Sequence, residues 1–315
     1  MPIEIIKYTP EYKKVWDTFV KESKNGTFLF MRDYMEYHSE RFTDCSLIFY
    51  REKELLALLP ANIDKESKCL ESHKGLTYGG FIMSHYTKTT DIIEVIERLK
   101  QYMTEDLGVE RLIYKPVPYI YNRTPSEEPL YALFHSGARV SARSISTTID
   151  NSCPIKFNQL RRRGISKALK RGITCNETTS YRPFWEILTS ILSERHRSKP
   201  VHTVEEIEML HERFPNNIRL FTANINEKTI AGIVVYETDT VAHFQYIASS
   251  DEGCSTGALD LLISHLIENI YPQKKYIDFG TSTEQGGAIL NQGLIRQKEG
   301  FGGRAIVYDT YELII

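Results

Sequence analysis

The sequence lacks most of the patterns that announce covalent or metal-based chemistry. Its five cysteines, Cys45, Cys69, Cys153, Cys175 and Cys254, are scattered and odd in number. No Cys-x-x-Cys pair and no Cys/His spacing suited to zinc occurs, so the expectation is reduced, structural thiols in a cytoplasmic protein with no metal. No apolar run approaches the length of a membrane span, and the opening MPIEIIKYTPEYKK has no signal-peptide core. Neither a Walker loop nor a Ser-His-Asp order is present, which leaves no reason to invoke a covalent intermediate. An excess of one charge is missing too: 39 Lys and Arg against 41 Asp and Glu leave a net charge of −2. Global electrostatics therefore exclude DNA and membrane partners, and any anionic contact must come from a local patch.

What is there is a globular composition, 41% hydrophobic and 25% charged over 315 residues, enough for one large domain or two ordinary ones. The first half reads as two amphipathic segments (PEYKKVWDTFVKES and FMRDYMEYHSERF), two strands around Arg51–Glu54, and a strand in GLTYGGFIM. A helix follows, with apolar Ile92, Val95, Ile96, Leu99 and Met103 and a stop at Gly108, then the strand RLIYKPV, a helix ended by Gly137, and a strand from Arg139. The second half repeats this order without sequence identity: helices YRPFWEILTSILSERH and TVEEIEMLHERF, a three-strand meander, a helix, the strand KKYIDFG, a helix ended by glycine, and a strand from Arg304. The expected organisation is two copies of one α/β unit, 1–150 and 151–315, each a mixed, mostly antiparallel sheet flanked by helices, with the likelier donor site in the second copy.

That order resembles the acyltransferase fold of the GNAT superfamily, and its tandem form resembles the Fem-type peptidoglycan aminoacyltransferases. Three stretches carry the likeness: RRRGISKALKRGI, similar to the basic segment opening the second Fem domain; the strand-to-loop passage YIDFGTS; and GLIRQKEGFGG, similar to a closing G-x-x-x-F-K-x-x-F-G pattern with Gln297 in place of the first Phe. The resemblance implies an N-acyltransferase. Its donor would be acyl-CoA or aminoacyl-tRNA, and its acceptor an amine on a cell-envelope or nucleotide-linked sugar precursor. The competing reading is a non-catalytic module that keeps the fold to hold an anionic ligand.

Five stretches are candidates for the chemistry. Between a strand and a helix, Gly253, Ser255, Thr256, Gly257 and Ala258 lie where GNAT enzymes bind pyrophosphate, because a helix N-terminus offers free N–H groups and partial positive charge. Asp251 and Glu252 oppose this, and the alternative is Ser255 or Thr256 as a plain N-cap. From Asn151 to Asn176 there is no acid, while Lys156, Arg161, Arg162, Arg163, Lys167, Lys170 and Arg171 gather there. Arg161, Arg162 and Lys167 are candidates for holding an anionic substrate, a diphosphate or a tRNA backbone, unless acids elsewhere in the fold balance them. His196 is a candidate base and His202 a substrate contact in RHRSKPVHT, where Thr203 and Glu206 form a capping box. On VAHFQYIAS, His243 and Gln245 are expected on one strand face and Phe244 and Tyr246 on the other. His243 is the candidate base, or else a satisfied core histidine, and the resemblance places Gln245 and Tyr246 beside the donor. Glu284 follows the strand ending in Asp278 as another base candidate, and Tyr78 is a candidate acceptor wall in SHKGLTYGG. In NQGLIRQKEGFGGRA, Gly300 reads as a left-handed helix stop with Phe301 packing back on the helix, while Asn291 and Lys298 are ligand contacts on resemblance alone.

Overall fold

A computed structural model describes residues 2–196 and 198–315, the side chains of 195 and 196 excepted. The chain divides into two compact units. One comprises Met1–Ser144, Gln285–Ala288 and Val307–Ile315, the other Ile145–Glu284 and Ile289–Ile306. Each has its own apolar core.

The first unit runs β1 (Ile3–Lys7), α1 (Lys13–Glu22), α2 (Arg32–Met35), β2 (Leu47–Arg51), β3 (Glu54–Leu59), β4 (Asn62–Asp64), β5 (Cys69–Glu71), β6 (Ile82–Met83), α3 (Thr89–Tyr102), β7 (Arg111–Tyr114), α4 (Glu128–His135) and the start of β8 (Arg139–Asp150). Strands β1-β2-β3-β6 form one sheet, and β4-β5-β7 lie side by side in another. Helix α3 buries Ile92, Val95, Ile96 and Leu99, the stripe its spacing predicts. Asp91 accepts the backbone N–H of Lys88 at its start, and Gly108, at φ 65°, ends the helical stretch.

The second unit continues from β8 through α5 (Gln159–Lys170), β9 (Thr174–Thr178), α6 (Arg182–His196), α7 (Val204–Arg213), β10 (Ile218–Ile225), β11 (Lys228–Glu237), β12 (Val241–Ser249), α8 (Asp251–Thr256), α9 (Ala258–His265), β13 (Tyr276–Thr281), β14 (Thr283–Glu284), β15 (Ile289–Leu290), α10 (Gln292–Glu299) and β16 (Arg304–Ile314), whose last residues belong to the first unit. Its strands lie in the order β8-β13-β12-β11-β10-β9. The architecture is mixed α/β, with mostly antiparallel strands and flanking helices.

Among the described pairings each unit holds one parallel pair, of three rungs. In the first, Cys69–Glu71 lies along Arg111–Ile113; in the second, Val241–His243 lies along Tyr276–Asp278. The two ends differ. In the first unit the expected strand in GLTYGGFIM is mostly a loop that stitches itself to β7. Ser72 N–H donates to the Ile113 carbonyl at 2.8 Å and Gly79 N–H to that of Lys115 at 2.9 Å, and Phe81 N–H donates to the Tyr114 hydroxyl at 2.9 Å. Glycines permit this approach, since a Cβ on Gly80, at φ 81°, would lie 2.6 Å from that hydroxyl. In the second unit β12 and β13 make no further rung beyond His243 and Asp278, and they fork.

The closing helix also differs from its sequence reading. Gly300 is right-handed, with φ −60° and ψ −25°, and the left-handed residue is Gly302, at φ 90°. A Cβ on Gly300 would come within 2.9 Å of Asn158 Nδ2, so close packing, not handedness, requires glycine there. Phe301 is fully buried, 5.5 Å from Phe157 and 5.9 Å from Phe279 by ring centroids.

Candidate active site at the strand fork

The fork sets a buried dyad at its crotch. His243 and Asp278 are the last paired residues of β12 and β13, and His243 Nδ1 lies 2.8 Å from Asp278 Oδ2. The other carboxylate oxygen accepts from Ser146 Oγ at 2.5 Å and Thr148 Oγ1 at 3.0 Å, both on β8. Asp278 is fully buried. A carboxylate facing Nδ1 fixes that nitrogen as the donor and leaves Nε2 as the basic atom. Gly280, at φ 73°, clears the ring: a Cβ there would sit 3.3 Å from His243 Cε1.

Beyond the dyad the splayed strands enclose a cavity of about 190 Å³ between Ile247, Ala248 and Ser249 of β12, Phe279 of β13, and Leu294, Gln297 and Lys298 of α10. Lys298 is 5% exposed. Its ammonium donates to the carbonyls of Gly280 at 2.7 Å and Thr281 at 2.8 Å, which leaves one of its three N–H groups for a ligand. Burial lowers its pKa from 10.5 to about 8, against the pull of Asp278. A second cavity of about 440 Å³ shares Ser249, Cys254, Leu259 and Gln297 with the first and adds Arg163 and Lys167 of α5.

Of the sequence candidates, Gly253, Ser255 and Gly257 line this second cavity beside Arg161, Arg163 and Lys167, and others fall elsewhere. The glycine-containing passage before α9 is no open loop. Residues 251–256 form α8, capped by Ser250, whose Oγ accepts from Gly253 N–H, and not by Ser255 or Thr256, whose hydroxyls turn back to the Glu252 carbonyl. Gly253 lets α8 approach β11, as a Cβ there would meet the Ile230 carbonyl at 2.3 Å. Gly257 is left-handed and packed on Gly164 of α5, which covers the start of α9 at Ala258. Glu252 is paired with Lys228, so the acidic pair opposes an anion less than its sequence implies.

On and beside α5, Arg161 is spent on Asp260, at 2.6 Å, while Lys156, Arg162, Arg163, Lys167, Lys170 and Arg171 make no ion pair among the described residues. Acids from elsewhere therefore do not balance the basic face. The β12 alternation breaks at Gln245, because Tyr246 faces Val234 and Phe244 faces Val235, and Gln245 is the extra residue of a bulge. Phe244 consequently packs on Phe279 and Tyr246 on Trp185, not together. The buried Gln245 Oε1 has no hydrogen-bond partner.

His202 is buried, with Nδ1 2.5 Å from the Tyr246 hydroxyl, and its setting is a core contact. The side chain of His196 lies outside the described residues. Glu284 sits exposed in the β14–β15 hairpin opposite Ile289 and lines none of these cavities. Asn291 caps α10, its Oδ1 accepting from Leu294 N–H at 3.0 Å. Tyr78 is buried in the first unit against Phe30 and Tyr121, and is no surface wall. Sequence reasoning passed over the dyad's partners, Asp278 as a ligand of His243 and Ser146 and Thr148 as ligands of Asp278. The one signal was an aspartate ending an otherwise apolar strand.

Residues 156–285, which contain the fork, match the family model of the acetyltransferase (GNAT) domain. The chain carries a GNAT acyltransferase domain. No curated protein matches the chain in sequence. Among solved structures, FemX shares this fold over 99% of this chain and 97% of its own, with TM-score 0.68 and 13% identity. The C-terminal domain (DUF2156) of a provisionally named lysylphosphatidylglycerol synthetase from Agrobacterium fabrum does so over 96% and 91%, with TM-score 0.60 and 11% identity. A tandem GNAT protein from the clavulanic acid biosynthesis pathway covers 99% and 98%, with TM-score 0.52 and 10% identity. At these identities the likeness is one of fold, and the GNAT domain's chemistry rests on its own residues. Among those described, no three His, Cys, Asp or Glu side chains gather to hold a metal ion, and no helix is long and apolar enough to cross a membrane.

Proposed function

We propose that the chain moves an acyl or aminoacyl group from acyl-CoA or aminoacyl-tRNA to the amine of an anionic acceptor, a cell-envelope or nucleotide-linked sugar precursor. The observation that carries this reading is the fork: past the His–Asp dyad β12 and β13 share no further rung, and a cavity lies between their diverging edges at Ile247–Ser249 and Phe279. An extended donor arm can bond to those edges as a strand would. His243 Nε2 takes the proton from the acceptor ammonium or from the attacking amine. The amine then attacks the donor carbonyl, its carbon–oxygen or carbon–sulfur bond to the carrier breaks, and the carrier leaves as alcohol or thiol. The third N–H of Lys298 and the unpartnered rim of β12 supply donors for the oxyanion. Arg163 and Lys167 hold phosphate in the joined cavity. The names of FemX and of the lysylphosphatidylglycerol synthetase favour the aminoacyl form; the GNAT family model favours acyl-CoA.

Thermal shift with acetyl-CoA, longer acyl-CoAs, nucleotide sugars and charged tRNA separates the donors. A true ligand at 100 times its Kd stabilises by about 2.7 kcal/mol. No shift with any CoA sinks the acyl-CoA form, and no shift with charged tRNA sinks the other.

A further inference from the structure

The flank of α5 turned away from the fork carries a third, larger hollow. Pro154, Ile155, Phe157, Ile165, Leu169 and Ile267 make it apolar, and its volume is about 640 Å³, within the range of small-molecule sites. Lys156 and Arg162 stand in its lining without ion pairs. Its one carboxylate, Glu268, accepts from Ser264 Oγ at 2.6 Å. Leu169 is 61% exposed and Ile155 42%. At 100° per residue, Leu169, Arg162, Ser166 and Lys170 follow one another within about 100° of α5. One face thus joins an open apolar groove to a row of unneutralised cations, in a chain whose net charge is −2.

We propose that this face docks on an anionic bilayer, with the acyl chain of one lipid in the groove and the cations on the surrounding phosphates. Single exposed apolar side chains need no explanation, but here they border a continuous hollow framed by positive charge, the pairing of features by which peripheral proteins hold anionic membranes. An RNA backbone would use the cations and leave the groove idle, so the groove favours lipid.

Flotation with vesicles of phosphatidylcholine alone, and with phosphatidylglycerol added, tests this on the full chain. Binding is expected only to the mixed vesicles, weakened by salt, by Arg162→Ala about fivefold and by Leu169→Ala roughly tenfold or more. Lys53→Glu, exposed in the first unit, should leave it unchanged, and melting curves confirm that each variant is folded. Absence of binding to mixed vesicles at low salt overturns the proposal. So does binding indifferent to both α5 substitutions, and so does a face that Arg162→Ala weakens, Leu169→Ala spares and total tRNA occupies. Asp278→Asn should still float, so a failed transfer assay and a failed docking face are told apart.

Discussion

The two units end their parallel strand pairs in opposite ways. In the first, the chain leaving Glu71 folds into the gap. Its loop bonds to Ile113, Lys115 and Tyr114 and buries Tyr78 there. In the second, β12 runs on beside β11 to Ser249, no rung joins it to β13 past Asp278, and a cavity remains. A filled gap satisfies backbone groups internally and serves stability; an open one leaves donors and acceptors for a ligand. The polar residues divide in the same way. His73 in the first unit is buried and its pKa is pushed down to about 3, chiefly by desolvation, so it stays neutral and inert at physiological pH. His243 is held by a carboxylate with a ring nitrogen to spare.

The sharpest way to break this comparison is Asp278→Asn. The amide still fills the space but no longer fixes the proton on Nδ1, so turnover should fall about 100- to 1,000-fold. Single-turnover kinetics with the unit's donor would show it, and a fall below tenfold would mean that the dyad is core packing like its counterpart.

Next comes Lys298. Its folded pKa of about 8 lies below the ordinary 10.5, so between these values the unfolded chain binds more protons and stability rises with pH. Below pH 8 both states are charged and the burial cost, roughly 3 kcal/mol, is present in full; above 10.5 it is gone. Lys298→Met abolishes the titration. Across this window wild type should therefore gain roughly 3 kcal/mol on the variant in urea melts. A constant difference would place the ammonium in water.

Much of the fold was legible because it rests on local signals. The α3 stripe and the Thr203–Glu206 capping box both survive in the structure. What was hidden depends on neighbours distant in sequence. Strand β9, TCNET, has no apolar alternation and exists because β10 offers it an edge. The bulge at Gln245 is set by pairing with β11, so a period of two read along β12 assigns Phe244 and Tyr246 wrongly. At the site, His243 could be singled out as a polar group on a largely apolar strand, and Lys298 only through the family resemblance. Their partners could not, because Ser146, Thr148 and Asp278 meet only when β8 and β13 pair. In the passage 251–258 the local sequence did not show that residues 251–256 form a helix, in which glycine serves close packing of α8 on β11 and of α9 on α5.

In the first unit, Tyr114→Phe removes the hydroxyl that accepts Phe81 N–H. A buried donor without a partner costs about 1–3 kcal/mol, so the melting transition should fall by that amount. Turnover should stay within about twofold, because a plug that only stabilises carries no chemistry. A loss of turnover larger than the loss of folded protein would instead make the first unit a participant.

The smallest effect is expected at Glu284. It lies exposed on a two-residue strand opposite Ile289. Glu284 stands in solvent, whereas the His243 imidazole is buried and oriented for proton transfer by Asp278. Glu284→Gln should change turnover by less than about twofold and leave the pH profile in place, since surface substitutions away from a site are close to silent. If it instead removes the low-pH limb of activity while Asp278→Asn does not, the proton is taken at the hairpin. The fork would then bind the donor without supplying the base.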